Sequence, residues 1–128
     1  MVMTIEYDIF LDDVKIGVTK LEKADAPMGV VFGDIDFNDS KFNYDFLRKY
    51  CVVNNITFSE DAESGFINTN NIPTLIVKDK ALNLIQGISR SISGMDAEGF
   101  EINIIGIEYP LYETLFPHHV SYYNTLFK

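Results

Sequence analysis

The sequence predicts an α+β fold, an antiparallel sheet of about six strands with two amphipathic helices packed mainly on one face. Three observations predict it. Several short segments alternate apolar and polar residues, as half-buried strands do. Two longer segments repeat apolar residues every three or four positions, as helices do. Short turns join successive strands, which favours antiparallel pairing, and two helices cannot cover both faces of so many strands.

The chain opens with a predicted β-hairpin. From Ile5 to Leu11, every second residue is apolar, and Glu6 and Asp8 lie between them. Asp12-Asp13 supplies a turn, and the alternation resumes from Val14 to Val18. This pattern is typical of two paired strands joined by a tight turn.

A third strand is predicted from Val30 to Phe37, after a connector that contains Pro27 and Gly29. Asp34 and Asp36 are placed on one face of this strand. Gly33 interrupts it, and a glycine inside a strand indicates a bulge or a close approach of another backbone.

The first helix is predicted from about Lys41 to Val53, because its apolar residues recur at helical spacing. Asn38, Asp39 and Ser40 are its candidate N-caps, and Asn54-Asn55 is its predicted end. Cys51 lies on the apolar stripe, which predicts a buried, unreactive thiol.

The second half of the chain is predicted as strands and a final helix. A short strand is expected over Ile56–Ser59, an acidic and polar loop over Glu60–Asn71, and strands over Ile72–Val77, Leu82–Ile92 and Phe100–Ile107. The last helix is expected to begin near Pro117, because proline favours the first position of a helix.

Length and composition predict a single domain over residues 1–128, in which 47% of the residues are hydrophobic. The first residues have no basic, apolar signal pattern, and no window is apolar enough to span a membrane. The single cysteine offers no disulfide framework. These features predict a cytoplasmic protein without membrane association.

The net charge is −9, and it is unevenly distributed. Residues 1–64 contain 13 acids and 6 bases, whereas residues 65–128 contain 6 acids and 4 bases. A chain this acidic is poorly suited to nucleic acid and better suited to a basic protein. The predicted partner-binding residues are Asp34, Asp36, Asp39, Tyr44, Glu60, Asp61 and Glu63, with Tyr44 as an aromatic anchor.

Two other functions remain open from the residues alone. His118 and His119, with Glu113 or Glu108, are candidates for a metal-dependent enzyme or a small-ligand site near the last helix. However, adjacent helical histidines point about 100° apart, so no metal or other cofactor is predicted. A homodimer formed through a sheet edge or the tyrosine-rich C-terminal segment is the third hypothesis.

The chain resembles small single-domain bacterial proteins of the toxin-immunity type. The resemblance rests on size, acidity, the hairpin from Tyr7 to Glu22, the segment Pro27–Gly33 and the closing Phe116-Pro117-His118-His119. It implies a non-enzymatic cytoplasmic inhibitor that binds a cognate toxin, often a basic nuclease, and blocks its active site or substrate groove. Such families share no site pattern, so the resemblance assigns no individual residue.

Overall fold

The computed structural model describes residues 5–126, apart from the side chains of residues 109 and 110. The strands are β1 (Tyr7–Leu11), β2 (Val14–Thr19), β3 (Lys23–Asp25), β4 (Val30–Phe37), β5 (Phe58–Asp61), β6 (Phe66–Thr69), β7 (Leu75–Lys78), β8 (Ser89–Met95) and β9 (Gly99–Ile105). The helices are α1 (Tyr44–Val53), α2 (Tyr109–Leu115) and α3 (Pro117–Leu126), with a 3-10 turn at Ala26–Met28.

The strands form one sheet in the order β5-β6-β8-β9-β4-β2-β1-β7. Strand β3 is not on this path and pairs with β4. Every strand pair in the described residues is antiparallel. The α+β class and the antiparallel sheet are therefore confirmed. The described residues contain nine strands and three α-helices, where about six and two were predicted.

The sheet has an inner face that forms the core and an outer face that carries most of its polar residues. Ile9, Val31 and Ile102 point inward and are fully buried. Helix α1 contributes Leu47 to the same core. At the α2–α3 junction, the Phe116 ring packs on Tyr7 with centroids 6.0 Å apart. Burial of these apolar side chains is the main stabilising contribution to the fold.

Two predictions in the second half were wrong. The expected loop over Glu60–Asn71 is the β5–β6 hairpin, in which Ile67 is fully buried. Its acidic and asparagine-rich composition concealed the alternation. The strand expected from Leu82 begins only at Ser89, and the Leu82 and Ile88 side chains are 74% and 83% exposed. The buried residue of that segment is Ile85, which lies outside the predicted alternation, so the alternating residues do not face the core.

The predicted helix ends are partly confirmed. Helix α1 begins later than expected, because the Asn43 side chain accepts a hydrogen bond from the Phe46 N–H at 3.0 Å and serves as the N-cap. The helix ends as predicted near Asn55, whose φ of 56° is left-handed.

Cys51 is buried as predicted, and burial raises the pKa of its thiol. No described helix is both long and apolar enough to cross a membrane.

The two ends of the sheet differ in how their backbone groups are satisfied. The outer edge of β7 is covered, because the Ile85 N–H donates to the Val77 carbonyl at 2.9 Å. The Arg90 guanidinium also donates to the carbonyls of Leu75 and Pro73, at 2.6 and 3.1 Å. Strand β5 ends the other side of the path, and no described strand pairs with its far edge.

Candidate functional site

A row of polar side chains crosses the outer face from β5 to β4. Strand register places them directly opposite one another in the order Ser59, Asn68, Ser93, Glu101 and Asp34. We call this set the polar row. Four strand spacings of about 4.8 Å give it a length of roughly 19 Å. The alternation of side chains across a strand is what places all five on one face.

A cavity of about 290 Å³ opens beside the polar row. Its wall is lined by Asp34, Phe66, Ser93, Gly94, Met95, Glu98, Gly99 and Glu101. We call it the central cavity. Phe66 lies opposite Met95 and Met95 opposite Gly99, so an aromatic ring and a thioether lie next to a residue with no side chain. The same cavity is lined by three carboxylates, those of Asp34, Glu98 and Glu101.

A second concavity of about 250 Å³ shares Asp34 with the central cavity. Its lining includes Glu6, Lys20, Glu22 and Asp36. The Glu22 carboxylate accepts a hydrogen bond from the Asp34 N–H at 2.8 Å, in the gap where β2 ends and β3 begins. Asp34 is therefore the point at which two acidic depressions meet.

Gly33 provides the space for Glu22. A Cβ atom at this position would lie 2.8 Å from Thr19 Oγ1 and 2.9 Å from Leu21 Cα, and it would also overlap the Glu22 carboxylate. Leu21 is fully buried with a φ of 44°, so its backbone is firmly held in a strained conformation. The predicted close backbone approach at Gly33 is confirmed.

The central cavity carries excess negative charge. Lys23 Nζ binds the Glu101 carboxylate at 2.7 Å and lies 4.0 Å from that of Asp34. The bond to Glu101 raises the pKa of Lys23. Asp34 remains 75% exposed, and Glu98 has no ion-pair partner among the described residues. One lysine is thus set against three carboxylates.

The structure brings three of the predicted partner-binding acids onto the outer face. Asp34 and Asp36 lie there on β4, as predicted, and Asp61 lies there on β5, opposite Phe66. Asp39 is in the loop before α1, where its carboxylate accepts the Lys41 N–H at 2.9 Å. Glu63 lies in the β5–β6 turn and is exposed.

Tyr44 and Glu60 lie instead at the inner side of β5. Tyr44 is 8% exposed, and its hydroxyl donates to Glu60 Oε2 at 2.7 Å. Arg48 Nε donates to the same oxygen at 2.9 Å. The bond from Tyr44 and the one from Arg48 lower the pKa of Glu60, and the Tyr44 pKa is raised in return. The hydrogen bonds from Tyr44 and Arg48 to Glu60 thus attach α1 to β5.

Sequence reasoning missed Glu22, Glu98 and Glu101, together with the apolar contributions of Phe66 and Met95. Glu101 alternates with buried Phe100 and Ile102, so its outward orientation was readable from the sequence. Its position opposite Asp34 was not, because strand order and register are set by contacts between distant segments.

The histidine pair forms no group with three or more potential metal ligands in the part of the chain that the structure describes. His119 Nε2 lies 2.8 Å from the Leu21 carbonyl oxygen, and the two imidazole centroids are 4.2 Å apart. Burial, and secondarily His119, lower the pKa of His118. The geometry makes His119 a contact between α3 and the segment that joins β2 to β3.

A cavity of about 280 Å³ nevertheless lies between α3 and the β3–β4 pair. His119, Tyr122 and Tyr123 line it from the helix, and Lys23 and Phe32 from the strands. Neither Glu108 nor Glu113 is among its lining residues. The site expected near the last helix therefore has a cavity and one histidine, without the expected carboxylates.

Comparison of the chain with family models, curated proteins and solved structures finds no match.

Proposed function

We propose that this protein is a non-enzymatic, cytoplasmic immunity-type protein that neutralises a cognate basic toxin, of the nuclease class, by binding it through the outer face of the sheet. The observation that carries the proposal is the central cavity, where Asp34, Glu98 and Glu101 line the same depression as Phe66 and Met95. An aliphatic stem ending in a cation fits this chemistry, so a lysine or arginine of the partner is the expected occupant.

Charge and shape support different stages of this binding. A net charge of −9 attracts a cationic protein over a distance and accelerates its association. The affinity then depends on a few contacts that exclude water. A partner side chain that enters the central cavity gains apolar contact with Phe66 and ion pairs with the surrounding carboxylates.

Inhibition would follow because carboxylates occupy the positions that nucleic-acid phosphates take in a nuclease. The polar row is roughly 19 Å long. At a rise of about 3.4 Å per nucleotide, this is the length of five or six nucleotides of one strand. It presents two carboxylates at one end and hydroxyl and amide groups along the rest. A cationic substrate groove can therefore be covered along this row.

The proposal is tested with a panel of basic nuclease toxins, by measuring both binding and inhibition of nucleic-acid cleavage. We expect one or more to bind, with an affinity that falls as salt shortens the Debye length from about 10 Å to about 3 Å. Reversal of two charges, Asp34→Lys with Glu98→Lys, is expected to weaken binding at least about tenfold, or roughly 1.4 kcal/mol.

The matched control is Glu113→Lys with Glu108→Lys, which makes the same change in net charge on exposed residues outside the outer face. If both pairs weaken binding equally, only overall charge matters and the proposed surface is wrong. If no basic toxin binds or is inhibited, the proposed function itself is wrong.

A second candidate function is a small-ligand site in the cavity beside α3, and His119 on its wall is the observation that favours it. The hydrogen bond to the Leu21 carbonyl occupies Nε2 of His119, so a ligand would have to bind through Nδ1. Metal analysis of the purified protein, and chemical-shift changes of His119 with small anions, would test this alternative. Unchanged histidine signals would eliminate it.

A further inference from the structure

The sheet path has two outer edges, one on β5 and one on β7. Among the described residues, only the edge on β5 has no pairing partner. At the opposite end, β7 is covered by a bridge between Lys78 and Leu84 and by the Arg90 side chain. An open edge exposes backbone donors and acceptors that can pair with another strand. We infer that β5 binds an extended cationic strand of the partner and so continues the sheet; this rests on the proposed function.

The register identifies the backbone groups that are available. The Asn70 N–H donates to the Thr57 carbonyl at 2.8 Å, which makes Thr57 and Asn70 a hydrogen-bonded pair. Because such pairs alternate along an antiparallel ladder, Ser59 and Asp61 also bond to β6. The N–H and C=O groups of Phe58 and Glu60 therefore point away from β6, toward the position of an added strand.

Side chains on β5 specify the chemistry of that strand. Asp61 projects from the outer face, so a cation on the added strand opposite it would form an ion pair on that face. On the inner face Phe58 is half-buried and offers an apolar neighbour. The expected occupant therefore alternates cationic and apolar residues.

A second copy of this chain is a poor occupant for electrostatic reasons. Antiparallel pairing of two β5 strands would bring Glu60 and Asp61 of one copy close to the same carboxylates of the other. Each adjoining turn would add Glu63, and the two chains each carry a net charge of −9. Like charges on facing strands oppose pairing. The same acids attract a cationic strand.

The test uses amide hydrogen exchange of the full chain, followed by NMR, with a peptide of about eight residues that alternates lysine and valine. Without peptide, the Phe58 and Glu60 amides are expected to exchange fast, and those of Ser59 and Asp61 slowly. With saturating peptide, the first two are expected to slow at least about tenfold. The latter two serve as internal controls.

Two peptide controls define the specificity. A peptide that alternates glutamate and valine is expected to leave the exchange of both edge amides unchanged. A peptide of the same composition as the probe, with its lysines and valines in separate blocks, is expected to protect them less. Equal protection by all three peptides would overturn the inference, because neither charge nor alternation would then matter.

A pair of variants isolates the backbone contribution. Glu60→Ala and Glu60→Pro both remove the side chain, but only proline removes the outward N–H, which an edge strand tolerates. The lysine–valine peptide is expected to bind Glu60→Pro at least about fivefold more weakly than Glu60→Ala, or roughly 1 kcal/mol. Equal binding by the two variants would contradict strand addition.

The results also separate this inference from the proposed function. If edge amides remain unprotected while Asp34→Lys with Glu98→Lys still weakens toxin binding, the inference is wrong and the proposed function stands. If the edge amides are protected but no basic toxin binds or is inhibited, strand addition occurs and the proposed function is wrong.

Discussion

Gly33→Ala tests whether the backbone near Asp34 is held as the structure shows. The new Cβ would lie 2.8 Å from Thr19 Oγ1 and 2.9 Å from Leu21 Cα, both closer than van der Waals contact allows. The Leu21 backbone has little room to move, because its side chain is fully buried and its carbonyl is bonded to His119.

The expected loss of stability combines three contributions. Overpacking of a held backbone costs about 1–3 kcal/mol. Displacement of the exposed Glu22 carboxylate from the Asp34 N–H costs roughly 1 kcal/mol. Replacement of glycine by alanine recovers about 0.4–1 kcal/mol by restricting the unfolded chain. The free energy of unfolding is therefore expected to fall by about 1–4 kcal/mol.

The assay is urea unfolding followed by circular dichroism, with Glu22→Ala and the double variant completing a mutant cycle. Part of the cost of Gly33→Ala is expected to disappear in the Glu22→Ala background, because the displaced carboxylate is already absent. A Gly33→Ala variant within about 0.5 kcal/mol of the original protein would refute the close packing of the backbone around Gly33.

Three other predictions concern the bonds that hold the sheet and helices together. Arg90→Lys is expected to lower the free energy of unfolding by about 2–4 kcal/mol, since an ammonium group cannot reach the Leu75 and Pro73 carbonyls together. Urea unfolding measures this loss, and an unchanged unfolding midpoint would contradict the closure of the β7 edge by Arg90. Tyr112→Phe removes a buried hydroxyl that donates a hydrogen bond to the Val30 carbonyl at 3.1 Å. The free energy of unfolding is expected to fall by about 0.5–1.5 kcal/mol in the same assay, whereas a stabilised variant would show that this hydrogen bond contributes nothing. Glu60→Gln tests a pH dependence: the folded-state pKa of Glu60 is below its ordinary value of 4.5, so its stabilising effect is present above pH 4.5 and lost as the pH falls through the lowered pKa. Melting temperatures of the two proteins should therefore differ at neutral pH and converge in acid, and a difference that is constant with pH would contradict this.

The sequence by itself determined which residues alternate and which repeat at helical spacing. The hairpin, the strand that carries Asp34 and Asp36, and the start of α3 at Pro117 follow from local patterns, because side-chain direction depends on the backbone of the same segment. The burial of Cys51 follows in the same way from its place on the apolar stripe of α1.

Only the tertiary structure decided which acids lie together. Glu101 is adjacent to Asp34 through the β4–β9 register, and Glu60 is withdrawn to Tyr44 and Arg48 although Asp61, its neighbour, faces outward. Strand order and register depend on the packing of residues far apart in the chain, which no local pattern encodes. The charge was visible in the sequence, whereas its arrangement around a cavity required the assembled sheet.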